Sequence, residues 1–214
     1  MSSDNAFIYL VLIIAVVVVC YLYFKRIYAA ANTIHGGNND KTAKYYIYDS
    51  DIDRSFKTQT RNILKKSSWN NYYKLREVDS EIKSDIDIKL VADSKLERYH
   101  DNQEYYSDGT PIRFSITFQS KKSKPKILIN AKNWLYGVKQ SGLSLDDYRT
   151  YVINHEFGHG LGFDHQKCNK NTVVNGTCPV MYQSTRGCKN YTCGKEPNKF
   201  DRNKKIDVAY LRWT

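Results

Sequence analysis

"HEFGHGLGFDH", residues 155–165, holds three of the chain's five histidines, spaced by four and then by six. On an α-helix, residues four apart lie one turn above each other with Cβ atoms roughly 5–6 Å apart, so His155 and His159 can aim imidazole nitrogens at one ion. Two ligands hold zinc loosely, and a third must arrive without filling the vertex that water and substrate need. His165 is the candidate. If the helix ran on, six residues would carry it about 120° round and roughly 9 Å along the axis from His159. The helix must therefore end between them, and Gly162 is expected to turn the chain, because glycine takes a positive φ at little cost. Glu156 is too close in sequence to His155 to share its direction, so it flanks the ion instead of binding it. There it is the candidate general base. It would take the proton of a water whose pKa zinc lowers to about 7, and return it to the leaving amine of a cleaved peptide bond.

With these residues in view, the chain resembles the metzincin metallopeptidases, marked by H-E-x-x-H-x-x-G-x-x-H and a following Met-turn. His155, Glu156, His159, Gly162 and His165 all match. The resemblance implies an α+β, metzincin-like fold, one Zn2+ ion and hydrolysis of a peptide or protein substrate. In "CPVMYQ" (178–183), Met181 follows His165 by sixteen residues. The clan's Met lies beneath the zinc as a hydrophobic floor without ligating it. Tyr182 is a candidate oxyanion stabiliser, although in the clan that tyrosine comes two residues after the Met, where this chain has Gln183. A closer likeness covers most of residues 45–190 through "INAKNWLYG", "DDYRTYVINHEFGHGLGFDH" and "CPVMYQSTRGC". These are similar to bacterial secreted or membrane-anchored metzincin-like domains, best represented in actinobacteria, whose cysteines near the Met-turn help brace the loop under the zinc.

Cys168, Cys178, Cys188 and Cys193 lie in a short loop-like stretch. Their even number suits two disulfides and an oxidising compartment, with three pairings open. The spacings of ten, ten and five include no C-x-x-C knuckle for a structural zinc. The sequons at Asn175 and Asn190 agree with an oxidising compartment, but carry little weight in an Asn-rich chain.

Residues 6–24, "AFIYLVLIIAVVVVCYLYF", are uncharged. As a helix they would span roughly 28 Å, close to the hydrocarbon core of a bilayer. The run is too long for the apolar region of a signal peptide, and Lys25 and Arg26 separate it from the small residues at 29–31. A retained transmembrane anchor is expected, preceded by a tail (1–5) and followed by a flexible Gly- and Asn-rich linker (25–44). Lys25 and Arg26 favour a cytoplasmic domain by the positive-inside rule, while the cysteines favour the other side. The sidedness stays open.

The domain is expected over residues 45–214. "KYYIYD" reads as a strand, and Phe56, Ile63 and Leu64 as one face of a helix that stops before "SSWNN". "SEIKSDIDIKLVAD", with Ile82, Ile86, Ile88 and Leu90, gives a second strand, "PIRFSITFQS" a third and "KPKILINAKNW" a fourth. Together they predict a twisted mixed sheet of about four strands. Ser144 and Asp147 start the long active-site helix in the manner of a capping box. "RNKKIDVAYLRW" reads as a short closing helix. The strand "KILINAK" is expected beside the cleft, holding peptide through its backbone.

Aromatic residues make up 14% of the chain, including 18 tyrosines, which excludes a disordered polypeptide. The net charge of +11 is spread through the domain without forming a stripe, so no nucleic-acid partner is expected. The abundance of Asn, Lys, Ile and Tyr is the coding bias of an AT-rich genome, such as many large DNA viruses have, and a virion membrane is one setting for the anchor. The alternative to an anchored zinc endopeptidase is a zinc-binding but catalytically silent structural or interaction protein of a membrane or virion surface. An intact Glu156 favours the enzyme.

Overall fold

Ala43, Tyr45 and Ile47 turn inward along β1 (Thr42–Ile47), the period of two that a half-buried strand imposes. The computed structural model describes residues 41–99, 104–105, 111–120 and 123–205. On either side β1 pairs in parallel with β2 (Lys74–Glu77) and β3 (Ile86–Val91). Ile86, Asp87 and Ile88 are all buried on β3, as suits a strand in the middle of a sheet. Beyond it, β7 (Ser123–Asn130) runs parallel to β3, and β6 (Ile116–Ser120) runs antiparallel to β7. The order is β2-β1-β3-β7-β6, with β4 (Glu104–Tyr105) and β5 (Pro111–Ile112) forming a separate two-stranded ribbon. The domain is thus mixed α+β, built on a five-stranded mixed sheet.

Helix α1 (Phe56–Lys66) buries Phe56, Thr60 and Leu64, one residue per turn, and ends with Lys65 and Lys66 where cations complement the helix dipole. Helix α2 (Ala131–Tyr136) is capped by Asn130, whose side chain accepts from the N–H groups of Lys132 and Asn133 at 2.8 and 3.3 Å. Helix α3 (Leu145–Gly160) starts at Ser144, whose hydroxyl accepts from Asp147 N–H at 3.2 Å, and carries Asp146 and Asp147 in its first turn. From Tyr151 to Gly158 every residue of α3 is buried. A helix covered all round belongs to the interior of a fold. It packs against β6, β7, α1 and α2. Trp69 lies under it, stacked on Phe163 at 5.4 Å, with its indole N–H donating to the Asn154 carbonyl at 3.0 Å.

Several sequence expectations need correction. The sheet has five strands instead of four because "KLRE" also pairs: its one apolar residue, Leu75, gives no visible alternation, and backbone bonds to β1 make the strand. Arg61 of α1 fastens it by a bidentate bond to Glu77 at 2.6 and 2.7 Å. Ile82 is 96% exposed, in a 3-10 turn ahead of β3. "PIRFSITFQS" divides between β5 and β6, and "AKNW" leaves the strand because the Asn130 cap starts α2. Arg202 and Asn203 lie in a turn and bend, and Lys205 bridges Phe163, so the closing helix does not begin at Arg202; residues 206–214 lie outside the described residues. The expected anchor (6–24) and the linker short of residue 41 also lie outside them. Among the described residues no helix is long and apolar enough to cross a membrane.

Candidate metal centre

The last turns of α3 carry His155 and His159, and the chain reverses immediately after. Phe163 N–H bonds to Gly158 O at 3.0 Å and Gly162 N–H to His159 O at 2.8 Å, the paired bonds of a Schellman turn, with Gly162 at φ +88° in the position that favours glycine. The expected glycine corner is present, and it brings His165 back to the helix. His159 Nε2 lies 3.2 Å from His155 Nε2 and 3.2 Å from His165 Nε2. The three ligand atoms all lie within 4.8 Å of one another.

The donor set can be tested for its fit to a cation. His155 Nδ1 contacts the Val180 carbonyl and His159 Nδ1 the Phe163 carbonyl, each at 2.7 Å. A carbonyl only accepts, so both Nδ1 atoms carry the hydrogen and both Nε2 atoms present lone pairs. Two such nitrogens 3.2 Å apart have no hydrogen to share. A cation between them resolves the conflict, and nitrogens at about 2.0–2.1 Å from a tetrahedral ion are separated by about 3.3–3.4 Å. Burial, followed by the neighbouring imidazoles, holds His155 well below its ordinary pKa and lowers His159 to about 4. His165 is also lowered, chiefly by burial. Each shift favours the neutral imidazole, which is the ligating form, and the residues fit a zinc ion.

Glu156 is buried beside this trio. Burial pushes its carboxyl up to about 7, against the hydroxyl of Thr117, which donates to Oε2 at 2.6 Å. Thr117 comes from β6, so β6 is the strand beside the centre. This corrects the expectation for "KILINAK". That segment is β7, whose two edges are already taken by β3 and β6, leaving no backbone free for a peptide.

Met181 is fully buried, and its sulfur lies against Gly158, in the turn of α3 between His155 and His159. A Cβ at Gly158 would collide with Met181 Sδ and meet Trp69 Cζ2 at 2.9 Å. Both neighbours are fully buried, so Gly158→Ala is expected to destabilise the fold by about 1–3 kcal/mol through overpacking. Denaturant unfolding of the variant beside the wild-type chain checks this; equal midpoints would mean that Met181 moves aside freely.

Asp201, which sequence reading passed over, fixes the Met181 turn. It is fully buried and accepts from Met181 N–H at 2.7 Å, Val180 N–H at 3.2 Å and Asn198 N–H at 2.6 Å. Burial pushes its carboxyl up to about 6, and these three donors act in the opposite direction. The Tyr182 hydroxyl donates to the Gly187 carbonyl at 3.4 Å, in the loop beyond Met181. Of the three possible cysteine pairings the structure has Cys168–Cys178 and Cys188–Cys193. Cys178 stands three residues before Met181, so the first bridge ties the chain after His165 to the turn that carries Met181.

A family model described as "Protein of unknown function (DUF3152)" matches residues 38–214, and the chain belongs to that family. No curated protein matches the chain.

Proposed function

We propose that the protein is a zinc-dependent endopeptidase of metzincin type, held at a membrane by its apolar run 6–24. The observation that carries this reading is the convergence of three neutral imidazole Nε2 atoms, two of them with tautomers set by backbone carbonyls, beside a buried carboxylate that a threonine holds in place.

His155, His159 and His165 would hold the ion. When bound, zinc supplies a Lewis acid for a substrate carbonyl and brings the pKa of water to about 7. Thr117 occupies Glu156 Oε2, so Oε1 is the oxygen that takes the proton of the attacking water. The water oxygen bonds to the peptide carbon, the carbon–nitrogen bond breaks, and Glu156 passes the same proton to the departing nitrogen. Burial raises the Glu156 carboxyl above its ordinary value, in the direction that helps a group both to take and to return a proton. β6 ends the sheet among the described residues, and it offers backbone groups along which an extended peptide can add as a further strand.

The test is metal removal and return. The full chain, loaded with zinc and given a mixed peptide library, is expected to cut peptides, to stop after chelation, and to resume when zinc is restored. Mass spectrometry of the library reads the outcome. A chain that retains zinc yet leaves every peptide intact would instead be a metal-binding interaction protein.

A further inference from the structure

Two of the three imidazoles are held through Nδ1 by carbonyls at the same distance, 2.7 Å. The peptide groups behind those carbonyls differ. Behind His159, the Phe163–Asp164 peptide gives its N–H to the Lys204 carbonyl at 2.9 Å, a neutral acceptor, and the Asp164 carboxylate, which acts on His159 through space, is itself paired with the Lys204 ammonium. Behind His155, the Val180–Met181 peptide gives its N–H to Asp201 Oδ1 at 2.7 Å. The Asp201 carboxyl is fully buried and faces three N–H donors, and an ionised carboxylate is the complement of donors alone.

We infer that Asp201 tunes His155 through a single peptide group, making a carboxylate–peptide–imidazole relay that raises the electron density His155 Nε2 offers to a cation. The physical basis is mutual polarisation along a chain of hydrogen bonds in a low-dielectric interior. Negative charge at the Met181 N–H makes the Val180 oxygen a better acceptor, and that oxygen then draws the His155 Nδ1 hydrogen more strongly. Carboxylates placed directly on metal-ligating histidines act in this way, fixing the tautomer and raising basicity. Here one backbone amide is interposed. Asp201 does not touch the ion or the substrate, and it is a positioning residue. The same bond fixes the turn that brings the Met181 sulfur against Gly158, between His155 and His159 on α3.

The inference rests on the metal-centre reading, and the experiment separates the two. In the zinc-loaded full chain, the Nδ1–H proton of His155 is expected further downfield in the NMR spectrum than that of His159, since the two bonds match in length and differ in the charge behind them. Asp201→Asn is expected to move the His155 resonance upfield, leave that of His159 in place, and weaken zinc binding by about 10–100-fold in chelator competition. Unchanged zinc affinity, or equal movement of both resonances as in a general loosening, overturns the relay. Should Asp201→Asn fail to fold, the wild-type spectrum decides alone: a His155 resonance further downfield than that of His159 supports the relay, and one coincident with it or upfield of it overturns it. A wild-type chain that binds no zinc overturns the relay and the metal centre together, and that result is distinct from a zinc-binding chain indifferent to Asp201.

Discussion

Glu156→Gln is expected to lower kcat for a cleaved peptide by about 10²–10⁴-fold, the range a positioned general base contributes, while the chain keeps its zinc. Glutamine preserves the shape and one acceptor oxygen for the Thr117 hydroxyl, but it cannot take or return a proton. Two of the three imidazoles are oriented by the Val180 and Phe163 carbonyls and not by Glu156, so metal content should not change. Thr117 gives a graded companion. A hydrogen bond to a charged group is worth about 1.5–3 kcal/mol, so Thr117→Val is expected to lower kcat by about 10–100-fold with KM little altered, and Thr117→Ser to restore it. Single-turnover rates on one defined peptide, with zinc measured on the same samples, distinguish these cases. Wild-type rates in Glu156→Gln would remove the carboxylate from the chemistry altogether.

The parts of this centre that sequence made legible are those whose geometry is local. Helix period alone relates His155 to His159, and Ser144 announces where that helix begins. The arrival of His165 could be read as a requirement for a corner, and Gly162 is the residue that meets it. Thr117 stands thirty-nine positions before Glu156, on a strand where a threonine fits ordinary alternation, and nothing local marks it as a partner of the acid. Asp201 sits in "NKFDRNKK", a stretch that reads as solvated; its burial is created by the Met181 turn folding against it from twenty residues upstream. β2 escaped notice for a related reason. A strand whose pairing is made by backbone groups, with little inward-facing apolar surface, leaves almost no trace in side-chain pattern. The cysteine pairing likewise depended on where the loops run, which spacing does not determine.

His165→Ala is expected to reduce zinc affinity by more than about 100-fold, since even changes behind a ligand cost 10–100-fold and this one would remove one of the three proposed ligands. The two nitrogens left on α3 would hold an ion from that helix alone. The same loss should not follow from disturbing the corner alone. A Cβ at Gly162 would meet nothing within 4 Å, so Gly162→Ala tests backbone conformation without steric conflict. At φ +88° an alanine pays about 1–2 kcal/mol of left-handed strain, and bound zinc can offset that strain because it holds His165 in place. Gly162→Ala should therefore unfold at lower denaturant concentration when metal-free and recover much of the difference when saturated with zinc. His165→Ala should gain far less from zinc, because stabilisation by a ligand grows with its concentration relative to its dissociation constant. Zinc competition and denaturant unfolding on both variants measure the contrast. If His165→Ala were stabilised by zinc as fully as the wild-type chain, the third ligand would have to lie elsewhere, and the glycine corner would be an ordinary helix end.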